Sequence, residues 1–314
     1  MSGPRVQPIV KQNESLEAAW KRTVARLASI QSHLDVAPRS GKLKGKVCIV
    51  TGVGSMKGIG RATSLLFAHE GAAHLYLLDF VADNLQNLKS TIEQKYPDVK
   101  ATVIQADAAD EKAIEAVCQQ AMDEEGRVDV FYANAGVATG NTLAETSAAQ
   151  FTEIMRINAL SCFIALKHAS AQMQKPNASR GKEYGGGSII MTASVAGVRS
   201  GAGGPDYSAS KAAVNNLAQT GAWQLQRSDV RVNSVCPGLI ETGMTVGTFD
   251  YARSRGSGSK IGQLNPMGRY AVAEEIAQVV LFLASDESGY VNGQNWAVDG
   301  GLSASVPVVP GKFA

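Results

Sequence analysis

The stretch Val47-Cys48-Ile49-Val50-Thr51-Gly52-Val53-Gly54-Ser55-Met56-Lys57-Gly58-Ile59-Gly60 decides the fold. An apolar, β-branched run meets a glycine-rich turn, and a helical pattern starts directly behind it. Glycine allows a tight turn and lets backbone N–H groups approach a pyrophosphate, whose charge the following helix N-terminus then stabilises. An ordinary glycine turn is the plain alternative, and the strand before and helix after weigh against it. A phosphate loop of the nucleotide-triphosphatase kind is excluded, because no Gly-Lys followed by Ser or Thr closes the run.

Outward from this stretch, short β-rich runs alternate with longer helical patterns. Strands read at residues 47–51, 74–79, 101–106, 128–133, 188–192, 230–235 and 295–298. Helices read at 59–69, 82–95, 111–124, 148–175, 207–226 and 273–284. That rhythm predicts an α/β fold, a doubly wound, mostly parallel seven-stranded sheet with helices on both faces. Residues 177–187 and 243–265 are polar or rich in Gly, Ser and Thr, and both read as long loops.

Residues 44–314 read as one dinucleotide-binding and catalytic domain, and residues 1–43 as an N-terminal extension. Within the extension, Leu16, Trp20, Thr23, Val24, Leu27, Ile30 and Leu34 recur at three- and four-residue spacing, predicting an amphipathic helix over residues 15–34. Its apolar stripe is expected to dock on the main domain or on a sister subunit. A mitochondrial presequence is the alternative, and Glu14, Glu17 and Asp35 argue against it.

The 314 residues are 45% hydrophobic, enough for one large domain with a sizeable core. A formal charge of +2 spread along the chain gives no footprint for nucleic acid or an anionic membrane. No apolar run approaches a membrane span. Cys48, Cys118, Cys162 and Cys236 lack C-x-x-C spacing and fit reduced thiols in a cytoplasmic protein. His33, His69, His74 and His168 form no ligand pattern, so no metal is expected.

Asp79 ends the second strand, nineteen residues after Gly60, where an acid can accept hydrogen bonds from the adenosine ribose hydroxyls. A carboxylate there repels a 2′-phosphate and favours NAD(H), whereas Lys57 could attract that phosphate and favour NADP(H). The strand-end position of Asp79 decides for NAD, with NADP as the alternative.

Tyr207 and Lys211, four apart on a predicted helix, share one face. A phenol is a poor proton donor or acceptor at neutral pH, its free pKa being about 10, and a neighbouring ammonium group stabilises the phenolate. Such a pair arises readily by chance, so its company carries the argument.

That company resembles the short-chain dehydrogenase/reductase family across residues 44–302. The resemblance rests on Thr51-Gly52 with Gly58-Ile59-Gly60, on Asn134-Ala135-Gly136, on Asn158, Ser194, Tyr207 and Lys211, on Pro237-Gly238 with Thr242, and on Asp299-Gly300-Gly301. One departure stands out. The family places three residues between its first two glycines, whereas five separate Gly52 from Gly58; Gly54 would restore the usual spacing, so either Gly52 or Gly54 opens the turn.

The resemblance implies an oxidoreductase moving a hydride between a nicotinamide cofactor and a secondary alcohol or ketone. It implies Tyr207 as acid/base, Lys211 as its activator and as a partner of the nicotinamide ribose, Ser194 as the group polarising the carbonyl oxygen, and Asn158 as holder of a relay water. It also implies cofactor contacts from Gly52, Gly54, Ser55, Lys57, Gly58, Ile59, Gly60, Asp79, Asp107 (to the adenine amino group), Asn134, Ile240 and Thr242. A homodimer or homotetramer is expected. Residues 199–205 and 243–265 should border the substrate, and Arg253, Arg255 and Lys260 read as solvated charge more readily than as an anion site. A hydrolase is disfavoured, since G-x-S-x-G is absent. A non-catalytic dinucleotide sensor on the same fold remains the alternative.

Overall fold

Strand β1 (Val47–Thr51) is buried along its whole length, which is why it carries no alternating polar residues. Around it, a computed structural model describes residues 15–305; residues 1–14 of the extension and 306–314 of the domain lie outside the described residues. β1 pairs in parallel with β2 (His74–Asp79) on one side and β4 (Val130–Ala133) on the other. With β3 (Lys100–Gln105), β5 (Gly187–Thr192), β6 (Val230–Pro237) and β9 (Asn295–Val298), the order is β3-β2-β1-β4-β5-β6-β9. Every pairing is parallel, so the expected doubly wound sheet is the one observed.

The chain reverses direction across the sheet between β1 and β4, opening a crevice at the strands' carboxyl ends, where ligands of such sheets bind. Two apolar cores flank the sheet. One joins it to α2 (Ile59–His69), α3 (Leu85–Lys95) and α9 (Ala273–Ala284); the other to α4 (Glu111–Glu125), α6 (Ser161–Met173) and α7 (Pro205–Gln224).

The structure corrects three expectations. The single helix read at 148–175 is α5 (Ala148–Met155), a wide π-turn (Arg156–Leu160) and then α6. A π-turn inserts one extra residue into the turn, too little to disturb the apolar period over so long a run. The loop read at 243–265 contains α8 (Val246–Ser254), flanked by β7 (Ile240–Glu241) and β8 (Ala271–Val272), which pair as a small separate ribbon. Residues 177–187 hold a short 3₁₀ turn (Ala178–Arg180) pinned by an Asn177–Lys182 bridge.

The extension does form its helix, α1 (Leu16–Gln31), capped by Ser15, whose hydroxyl accepts from the Ala18 N–H at 3.1 Å. Its stripe docks on the same chain. Leu27, Trp20 and Ile30 pack with Phe249, Ile261, Tyr270 and Val272 in a third cluster.

Candidate active site

The glycine turn opens at Gly52, whose φ of +73° lies in the left-handed region. Gly54 has another task. A Cβ there would sit 2.8 Å from Asp79 Cγ, and its N–H donates to Asp79 Oδ2 at 2.7 Å. The two extra residues of the turn therefore let the loop fold back onto the carboxylate that ends β2. Gly60 is also obligatory, since a Cβ would meet the Gly52 carbonyl oxygen at 2.2 Å. This is a cradle of backbone that side chains would fill, and its donor set fits a pyrophosphate at the N-terminus of α2.

Asp79 accepts from Gly54 and, through Oδ1, from the Val81 N–H at 2.9 Å. Each oxygen keeps a lone pair, and the residue lines the crevice. Lys57 does not line it. Its ammonium lies 3.7 Å from Glu241 on β7, and its side chain is two-thirds exposed.

Asn134 ties three strand ends together. Its Nδ2 donates to the carbonyls of Thr51 (3.2 Å) and Gly52 (3.0 Å), while its Oδ1 is hydrogen-bonded to Thr192 Oγ1 at 2.9 Å. Asn134 thus holds β1 and β5 to β4 beside the crevice.

The cavity at this crevice is about 620 Å³ and brings together Gly52, Ser55, Gly58, Ile59, Asp79, Asn134, Ser194, Tyr207, Lys211, Ile240 and Thr242. Of the residues singled out in the sequence, Gly54, Lys57, Gly60, Asp107 and Asn158 are not on its wall. Gly54 and Gly60 support it from behind.

Tyr207 and Lys211 lie one turn apart on α7, with Lys211 Nζ 5.7 Å from the centre of the Tyr207 ring. Lys211 is almost fully buried, and its ammonium donates to the Thr192 carbonyl at 2.8 Å. Tyr207 is packed against Gly203, where a Cβ would fall 2.6 Å from the ring. Ser194 caps the short turn after β5, its hydroxyl accepting from the Ala196 N–H at 3.1 Å.

Asn158 occupies the π-turn and is fully buried. Its Oδ1 accepts from the Val137 N–H at 2.9 Å, and its Nδ2 donates to the Val137 carbonyl (2.9 Å) and to Ser210 Oγ (3.0 Å). Both amide hydrogens are engaged by protein, so the side chain clamps the β4 loop behind the cleft.

Asp107 follows β3. Its carboxylate accepts from the Ala109 N–H and from Arg156, each at 2.8 Å. Carboxylates of Glu153 and Asp107 push the Arg156 guanidinium up.

Sequence reasoning missed Thr192, whose carbonyl holds Lys211, and Thr245. The Thr245 hydroxyl donates to the Ile240 carbonyl at 2.6 Å and accepts from the Thr242 N–H at 3.0 Å, fixing the wall formed by Ile240, Thr242 and Met244. Their only signal is position, at a strand end and before a helix. Arg253 pairs with Glu241 at 2.7 Å, and Arg255 donates to the Tyr251 hydroxyl at 2.7 Å, so neither offers an anion site in the cleft. The stretches expected to border substrate do meet: residues 199–202, Lys260 and residues 262–265 line a second cavity of about 310 Å³.

All four cysteines are free and buried; burial pushes their thiols up, that of Cys118 to about 12. None is a ready nucleophile. Among the described residues no group of His, Cys, Asp or Glu is arranged to hold a metal, and no helix is long and apolar enough to cross a membrane.

A glycine cradle at a strand switch point, a ribose-ready acid and a Tyr–Lys pair on one wall define a dinucleotide-dependent oxidoreductase. Residues 52–303 match the family model described as enoyl-(acyl carrier protein) reductase. The 3-oxoacyl-(acyl-carrier-protein) reductase of Thermotoga maritima is 37% identical over 261 residues, covering 83% of this chain and 99% of that protein. Levodione reductase of Leifsonia aquatica is 34% identical, covering 83% and 95%. The crystal structure of levodione reductase superposes with a TM-score of 0.75 at 34% identity, covering 84% of this chain and 100% of that one. The chain belongs to the short-chain dehydrogenase/reductase family. It is an oxidoreductase acting between CH–OH and C=O groups with a nicotinamide cofactor.

Proposed function

We propose that residues 44–314 form one catalytic domain that binds NAD(H) and interconverts an uncharged secondary alcohol and its ketone. The observation that supports this reading is the pairing of Asp79 with the Gly54 N–H at the open end of the cradle. A carboxylate so held accepts from a ribose 2′-hydroxyl and repels a 2′-phosphate. Lys57, the one residue of the loop able to oppose it, is engaged with Glu241. Gly52, Ser55, Gly58 and Ile59 hold the pyrophosphate, Asn134 steadies the strand ends, Ile240 and Thr242 flank the nicotinamide, and Asp107 keeps its adenine contact through its remaining lone pairs.

When bound, the nicotinamide supplies or takes the hydride. Tyr207 gives its hydroxyl proton to the substrate oxygen in reduction and recovers it in oxidation. Lys211, held by Thr192, places its positive charge beside the Tyr207 ring, where it stabilises the negative charge that develops on the oxygen as the proton leaves. Ser194 donates to the same substrate oxygen. Asn158 acts through the β4 loop, keeping Val137 and Gly136 against the cleft. A Cβ on Gly136 would meet Asn158 Oδ1 at 3.0 Å and Lys211 Nζ at 3.2 Å, so this loop fits closely over both.

The relatives' names include levodione reductase and meso-2,3-butanediol dehydrogenase, ketone and secondary-alcohol chemistries compatible with this cleft. A homodimer or homotetramer in the cytoplasm is part of the proposal, supported by the exposed Phe151, Leu160 and Phe163 around the π-turn and by the free thiols; light scattering reads its mass.

The test is kcat/KM with both cofactors across a panel of secondary alcohols and ketones. NAD(H) is expected to win, and Asp79→Ala to reduce that preference by about tenfold or more, the scale of one lost charge-assisted contact. A wild-type preference for NADP(H) overturns the assignment.

A further inference from the structure

The segment from Leu239 to Val272 carries Ile240, Thr242, Met244 and Thr245 to the wall of the cleft. Behind that wall stands α8, a helix of nine residues. Helices this short are not stable by themselves and depend on the packing of one face. The face is supplied by Phe249, fully buried and in edge contact with Tyr270, their ring centres 4.9 Å apart.

Neither of the cores that flank the sheet covers this pair. The cover comes from α1: Leu27 is 4% exposed within the cluster, and Trp20 lies 6.3 Å from Tyr270, ring centre to ring centre. Ile261 joins the same cluster, and its neighbours Lys260 and Gly262 line the second cavity.

The far end of the extension is fixed on the cofactor side. Leu34 packs into the core that holds α2 and α3, and His33 meets Gln278 of α9 at 2.7 Å. Arg39 grips both Asp98 carboxylate oxygens at 2.8 Å and donates to the His69 carbonyl at 2.7 Å. The extension is thus a strap, anchored beside the nucleotide half and pressing on the back of the substrate wall.

We infer that Trp20 and Leu27 are positioning residues for substrate: by packing on Phe249 and Tyr270 they set where α8 and Met244 stand, and so set substrate affinity and size selectivity. This rests on the proposed placement of substrate between the Tyr207 wall and the segment carrying α8. Neither residue touches the cofactor cradle or the Tyr207–Lys211 pair, and Ile240 and Thr242 of the same segment are held separately by Thr245 and by the β7–β8 pairing, so the larger effect falls on substrate binding.

The experiment uses the full chain with Trp20→Ala, Leu27→Ala and Trp20→Phe. For two ketones of different size, KM and kcat are measured together with cofactor Kd and Tm. The alanine variants are expected to raise substrate KM by about 5- to 20-fold, unequally for the two ketones, with kcat within about threefold and cofactor Kd within about twofold, the pattern of lost uniform binding. Trp20→Phe, which keeps an aromatic ring, is expected to restore KM to within about twofold. Should an alanine variant not accumulate folded, Leu27→Val gives the same reading with a shift of about two- to fourfold. Unchanged KM with lowered Tm overturns the inference, as does parallel loss of kcat and cofactor affinity. Met244→Ala separates the two layers of the argument. If it shifts KM while the α1 variants do not, the strap fails and the substrate placement stands; if it too is silent, the placement itself fails.

Discussion

The cofactor half, residues 46–134, and the segment from Leu239 to Val272 both face the same cleft, yet they are built differently. In the first, β1 and β2 are buried on both faces, and the site is made of backbone brought close by Gly52, Gly54 and Gly60. In the second, α8 has one fully buried residue, Phe249, and its position depends on a helix more than two hundred residues earlier in the chain. A cradle that recognises an invariant pyrophosphate can be rigid and encoded locally. A wall that selects a particular alcohol is free to depend on remote packing.

Substitution of a single hydrogen by a methyl group exposes this difference most sharply. Gly60→Ala drives a Cβ to 2.2 Å from the Gly52 carbonyl oxygen, so the cradle must open. We expect about 1–3 kcal/mol of cost, read as a 5- to 150-fold loss of cofactor affinity by fluorescence titration. Near-normal Kd would show that the cradle yields more easily than its packing implies.

A smaller effect is expected just past the end of β9. Asp299 accepts from the N–H groups of Gly301 (2.9 Å) and Ser303 (2.7 Å). Burial favours its neutral form, but these hydrogen bonds outweigh burial and hold the carboxyl below its usual range. The stability it contributes is therefore present above the unfolded-state pKa and lost as pH falls through the folded one. Asp299→Asn should cost about 1 kcal/mol at neutral pH. The gap to wild type should close toward the acid limb of a Tm–pH profile, and a gap that is constant with pH would refute this account.

The smallest effect belongs to the substrate side. Gly247, in the first turn of α8, has open space around its missing Cβ. Gly247→Ala should stabilise by about 0.4–1 kcal/mol with cofactor Kd unchanged. A loss of stability there would mean that α8 is packed more tightly than the cofactor-side comparison requires.

How legible each region was in the sequence follows the same division. β1, β2, α2 and α9 run over the residues their patterns mark, because two-faced burial and strong apolar periodicity leave few alternatives. Val246-Gly247-Thr248-Phe249 reads as loop, since glycine and threonine are weak helix formers and the partner that buries Phe249 is distant in sequence. The sequence pattern singles out Asn158, but the clamp it makes on Val137 depends on the π-turn, which leaves no mark on a 3.6-residue period. Likewise nothing in the sequence marks Glu241 as the residue that lies 3.7 Å from the Lys57 ammonium.

Proton transfer by Tyr207 within an intact cofactor site is the central proposed step. Its most direct test is Tyr207→Phe, with turnover followed by nicotinamide absorbance on the best secondary alcohol or ketone and cofactor Kd measured on the same protein. The ring stays packed on Gly203 and only the hydroxyl is lost. The expected result is kcat lower by about 100-fold or more, the scale of general acid–base catalysis, with cofactor Kd within about twofold. A folded Tyr207→Phe protein that turns over at nearly the wild-type rate would contradict it.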